Sequence, residues 1–163
     1  MQNKKIQQSI IKTLAFFDIF NIPLKSEKLF SFLFLSRCQE KDFDKNEIIL
    51  LNSGKIQEIN KYLLSPGSEK NIDIYNKRRK ISQKRWQKIN KIIPWLGWVP
   101  FIRLIGVCNS LSFDNSTEES DIDLFIITKK NRLWLTRAIT VLFLDLIGQN
   151  KNFFVKKDRF CLG

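Results

Sequence analysis

Apolar residues recur at helical spacing from Ile6 to Phe20, with Ile6, Ile10, Ile11, Leu14 and Phe17 falling near one face. Asn21-Ile22-Pro23-Leu24 breaks this pattern, because a proline disfavours a helical residue before it. Ser26 is placed to cap a second helix, Glu27 to Leu35, whose apolar positions include Leu29, Phe30, Leu33 and Phe34. A polar stretch covers Ser36 to Lys45. Glu47 to Leu51 then predicts a short third helix, stopped by Asn52-Ser53-Gly54.

After Gly54 the period changes. Lys55 to Ile59 and Lys61 to Leu64 read as two short strands with Asn60 near the turn, closed off by Ser65-Pro66-Gly67. Three helices followed by a hairpin is the order of a winged helix, and a generic small helical cap has the same periodicity. Asn71 to Ile93 reads as one long basic helix, ended by Pro94 and Gly97. It carries Lys77, Arg78, Arg79, Lys80, Lys84, Arg85, Lys88 and Lys91, with no acid after Asp73. Its cations, with Lys84, Arg85 and Lys88 as the candidates, suit contact with nucleic-acid phosphates, each displacing a counterion. The same run also suits a solvated linker helix packed on its apolar side. From Pro100 onward the chain reads as α/β: a strand over Phe101 to Val107, a second over Asp123 to Thr128, an apolar helix over Arg132 to Leu146, and a strand beginning within Arg159 to Leu162.

Composition narrows the chemistry. The 163 residues suit one ordinary domain or two small ones, and 44% hydrophobic residues are enough for a core. A net charge of +12 attracts polyanions, although a Lys- and Asn-rich composition produces such a charge without any such role. The absence of histidine excludes a His-based zinc site or a Ser-His-Asp triad within the chain. Cys38, Cys108 and Cys161 form neither a disulfide framework nor a zinc motif. Metal chemistry must therefore use carboxylates, which favour Mg²⁺ or Mn²⁺. No signal-peptide core is present and no apolar run reaches the ~20 residues of a bilayer span. The expectation is a cytoplasmic protein without a membrane partner, with Leu133 to Ile147 as a buried helix.

The stretch with chemical content runs from Ile105 to Ile127. A strand leads to a turn with Asn109 and Ser110, a polar loop follows, and Ser120-Asp121-Ile122-Asp123 opens an apolar strand. Residues two apart on a strand share a face, so Asp121 and Asp123 point one way while Ile122 and Leu124 point the other. Two adjacent carboxylates repel unless a cation bridges them, and a divalent ion can do so while also holding nucleotide phosphates. Asn109 and Ser110 can offer side-chain and backbone donors to a phosphate.

This arrangement resembles the polymerase β-like nucleotidyltransferase superfamily, whose signature is Gly-Ser in a turn and Asp-x-Asp on the next strand. Arg103 to Asp123, continuing through Thr128 and Asn131 to Arg137, is similar to a bacterial group of nucleotidyltransferase-domain proteins with a winged-helix-like front. Leu14 to Leu24 resembles the start of that front. The resemblance implies that Asp121 and Asp123 bind Mg²⁺ (or Mn²⁺) carrying a nucleoside triphosphate, that Ser110 contacts its terminal phosphates, and that Ser120 braces the loop. It further implies attack of an unknown acceptor's hydroxyl on the α-phosphate, with pyrophosphate leaving. The chain departs from the family at Asn109 and Asp114, where glycines are usual, and in having no later-strand carboxylate beyond Asp158, which lies before the final strand. Asp145 reads as a solvent-facing helix residue rather than a ligand.

The expected fold class is mixed α/β (α+β). A winged-helix-like module (1–70) and a basic linker helix (71–97) precede a partial nucleotidyltransferase domain with a small mixed sheet (98–163), truncated at its C-terminus. The expected function is metal-dependent nucleotidyl transfer. The alternative is a catalytically degenerate fold that binds nucleic acid through its winged-helix-like front and basic helix.

Overall fold

A computed structural model describes residues 2–34, 37–147 and 160–162. The protein is mixed α+β, and its chain forms two compact units, Met1–Asn76 and Lys77–Gly163. The division falls inside a long helix.

In the first unit, α1 (Gln2–Ile19) buries Ile6, Ile10, Leu14 and Phe17, the stripe its periodicity predicts. Asn21 stops it. With φ +57° it takes the left-handed position, its N–H donates to Asp18 O at 3.0 Å, and the Ile22 N–H donates to Phe17 O at 3.1 Å. Helix α2 is shorter than expected, Ser26–Ser31, and Lys25 rather than Ser26 stands at its N-cap. The Ser26 hydroxyl instead donates to Glu47 Oε2 at 2.6 Å, tying α2 to the third helix. Burial there raises the pKa of the Glu47 carboxyl, and the Ser26 bond acts against that rise. Phe34, expected to be helical, lies beyond α2 and is fastened to α1: its N–H donates to Thr13 Oγ1 at 3.0 Å and its carbonyl accepts from Ser9 Oγ.

Helix α3 (Glu40–Asn52) starts seven residues before the expected Glu47, within the segment that reads as polar. Only Phe43, Asn46 and Leu50 of α3 are buried, so one thin stripe fixes it, while Glu40 and Asp42 suit the positive end of the helix. Gly54 (φ +68°) ends α3. Strands β1 (Gln57–Ile59) and β2 (Tyr62–Leu64) pair antiparallel with Ile59 opposite Tyr62. Both turn residues between them, Asn60 and Lys61, have positive φ, as a two-residue hairpin loop requires. Leu24 forms an isolated antiparallel bridge to Leu63.

Helix α4 (Lys70–Leu96) carries the boundary between the units. Pro94 does not end it, because the helix runs on to Leu96 before Gly97. In the second unit, β3 (Ile102–Val107) and β4 (Ile122–Thr128) pair antiparallel, with a register shift between Ile102 and Leu104. A third strand, β5 (Phe160–Leu162), pairs parallel with β4, giving the order β3-β4-β5. Ile122, Leu124 and Phe160 pack with Ile89, Leu96 and Leu144 in one core. The apolar helix α6 (Leu133–Leu146) was expected to be buried, but it buries only Thr136, Thr140 and Leu144. Trp134 and Leu142 are exposed, and so is Asp145. Among the described residues, no helix is long and apolar enough to cross a membrane.

Candidate functional site

Strand β3 delivers the chain to Cys108, and a single helical turn follows, α5 (Asn109–Ser112). Hydrogen bonds to Asp123 hold this turn to β4. The Cys108 N–H donates to Asp123 O at 3.1 Å, and Asn109 Nδ2 donates to Asp123 Oδ2 at 2.8 Å. Burial alternates along the carboxylate segment: Asp121 and Asp123 are half-buried, whereas Ile122 and Leu124 are completely buried. Both acids thus lie off the core side, flanking a residue that anchors the strand. Asp121 sits immediately before β4, with its Oδ1 shielded from solvent.

Two residues of the turn and the loop after it are left-handed: Asn109 has φ +57° and Asp114 has φ +54°. Asn and Asp tolerate that region because their short polar side chains bond locally. Asn109 does so with Asp123. Asp114 places its Oδ1 2.9 Å from Trp86 Nε1, so its charge is tied to α4. Asn109→Ala is expected to cost about 1–2 kcal/mol, from the positive φ and the lost bond together, and Asn109→Gly to cost less because it relieves the backbone. Urea denaturation of both variants checks this; equal losses would show that φ contributes nothing.

The loop from Asp114 to Ser120 is held from both ends. The Ser120 hydroxyl accepts from the Thr117 N–H at 3.0 Å and pairs with Thr117 Oγ1 at 3.0 Å, so Ser120 braces the loop. The Asn115 N–H donates to Ser110 O at 2.9 Å, which ties the loop back to the turn. Ser110 itself is half-buried beside Asn109.

Sequence reasoning missed how much of this loop rests on α4. Arg78 Nη1 donates to Asn115 Oδ1 at 3.3 Å, and the Ser116 N–H donates to Ser82 Oγ at 3.0 Å. Arg85 Nη1 donates to Thr117 O at 2.8 Å, and its Nη2 to Glu118 O at 3.4 Å. Arg85 is only 2% exposed, which corrects its assignment as a nucleic-acid contact: its guanidinium is spent on the loop. Lys84 is exposed, while Lys88 is half-buried with Nζ 5.6 Å from the centroid of the Phe160 ring. The spacing held the clue. Residues 78, 82, 85 and 89 recur on one helical face, extending the apolar line of Ile89 with polar groups.

Among the described residues, no group of three or more His, Cys, Asp and Glu could hold a metal ion, and Asp158 lies outside them. Register pairs Asp123 with Cys161 on β5. Two carboxylates still fit Mg²⁺, which takes one or two of them together with substrate phosphates and water. Compared with protein-family models, curated proteins and solved structures, the chain matches none of them.

Proposed function

We propose that this protein is a metal-dependent nucleotidyltransferase that moves a nucleoside monophosphate from a nucleoside triphosphate to an acceptor hydroxyl. The observation that carries the reading is the pair Asp121 and Asp123, set on either side of fully buried Ile122, with Asn109 fixing the adjoining turn to Asp123 at 2.8 Å. Ser110 follows Asn109 in this turn, and a hydroxyl with backbone amides near two acids is the donor and acceptor set that a metal–triphosphate needs. In this reading Asp121 and Asp123 hold Mg²⁺, Ser110 meets the terminal phosphates, and Ser120 keeps the loop in shape through Thr117. Mg²⁺ held by Asp121 and Asp123 would supply neutralising charge for the phosphates and for the departing pyrophosphate. Residues 98–163 are read as the nucleotidyltransferase fold, with 71–97 as the linker helix before it.

The front unit is read as a winged-helix-like module. Its order of three helices and a hairpin supports this, as does the Leu24–Leu63 bridge that sets a third extended segment beside the hairpin. Its third helix carries Glu40, Asp42, Asp44 and Glu47 against Lys41 and Lys45, a charge balance unsuited to reading nucleic acid.

The test is thermal. Mg²⁺ or Mn²⁺ together with ATP, GTP, CTP or UTP is expected to raise the melting temperature, and Asp121→Asn to abolish the rise. A parent protein whose melting temperature no metal–nucleotide pair moves would end the proposal.

A further inference from the structure

The two units differ sharply in charge. Met1–Asn76 has 11 Lys and Arg against 9 Asp and Glu, whereas Lys77–Gly163 has 17 against 7. Much of that excess lies on α4, where no acid follows Asp73 to neutralise it. The arginines Arg78 and Arg85 are bonded to the loop and belong to the inner face of the helix. A different face remains. Lys77, Lys80, Lys84, Lys88 and Lys91 follow one another in steps of three or four, so they line one side of α4. Over about 21 Å of helix, this row turns away from the loop-holding face. Lys77, Lys80, Lys84 and Lys91 are exposed. The next step of four reaches Trp95, which is 64% exposed.

A row of like charges on one helical face repels itself, and a bound polyanion relieves that repulsion. A mostly exposed indole at the end of the row adds a flat apolar face on which an unstacked base can stack. We infer that the outer face of α4 binds single-stranded nucleic acid, the lysines following the phosphates and Trp95 stacking on a base. Stacking on any base makes the binding tolerant of sequence. Duplex DNA keeps its bases stacked inside, so it meets the lysines alone. This surface is separate from the carboxylate site, and the inference stands without the transfer reaction.

The experiment uses the full chain and fluorescence anisotropy of labelled oligo-dT across a salt series. The parent is expected to bind oligo-dT more tightly than a duplex of equal length, with affinity falling as salt rises. The double variant Lys80→Gln, Lys84→Gln is expected to flatten the slope of log K against log salt by about 1.4, roughly 0.7 for each lysine. Trp95→Ala is expected to weaken binding about tenfold with the slope unchanged. Asp121→Asn is expected to bind oligo-dT like the parent, which keeps failure of this surface distinguishable from failure of the nucleotide site. Three results would each overturn the inference: no salt-dependent binding by the parent, equal binding of duplex with Trp95→Ala silent, or preferential binding to phosphatidylserine vesicles that the lysine variant loses.

Discussion

Asp123→Asn is expected to weaken binding of Mn²⁺–ATP about a hundredfold while leaving the fold intact. The size follows from removing one of two charges that would face the same dication, an effect of several kcal/mol in metal sites. The fold survives because the amide keeps an oxygen for Asn109 Nδ2, the bond that now spans 2.8 Å to Asp123 Oδ2. Without metal, the variant's melting temperature is expected to match or exceed the parent's, since two neighbouring carboxylates no longer repel. Glu119→Gln provides the control, because Glu119 is a nearby acid that is exposed on the loop. Isothermal titration with Mn²⁺ and a non-hydrolysable ATP analogue measures all three proteins. If Asp123→Asn binds like the Glu119 variant, the proposed role of the pair is lost.

Which parts were legible in the sequence follows from how many positions encode each one. Helix α1 repeats its apolar residue every turn, and four of them are buried as the period demands. The strand that begins just after Asp121 was equally plain, because alternation over Ile122 and Leu124 leaves one register that buries the apolar side. The first half of helix α3 was not: its first two turns hold a single buried apolar residue, Phe43, among charged neighbours, and tertiary packing rather than local pattern makes them helical. Ser26 illustrates a second kind of loss. Its identity suits a cap, yet a partner 21 residues away takes its hydroxyl. Pro94 is a third. A proline ends a helix only if the freed carbonyl and altered geometry are not accommodated, and here two more residues follow in α4. At the candidate site, the turn at Asn109 was readable, and so was the tolerance of Asn109 for a left-handed backbone. The anchoring of the loop was not, since Arg85 and Thr117 meet across 32 residues, and a lone arginine in a basic run looks like all the others.

That anchoring leads to a large expected stability effect. Arg85→Ala removes a side chain that is 2% exposed and whose guanidinium donates to both Thr117 O and Glu118 O. Those carbonyls lose charged donors, and a cavity opens beside α4. A loss of about 3 kcal/mol follows from adding the unmet hydrogen bonds to the lost packing. For a unit of this size that corresponds to a fall of more than about 10 °C in melting temperature. Lys84→Ala, one residue away but exposed, is expected to change stability by less than about 0.5 kcal/mol. Arg85→Lys should recover only part of the loss, because an ammonium cannot present two parallel donors in the plane of a guanidinium. The comparison also separates scaffold from ligand contact. An arginine serving phosphates at the surface would weaken polyanion binding and leave the melting temperature unmoved. One that holds the loop before Asp121 should lower the melting temperature and loosen metal–nucleotide binding together, since the carboxylates depend on a loop that Arg85 keeps in place.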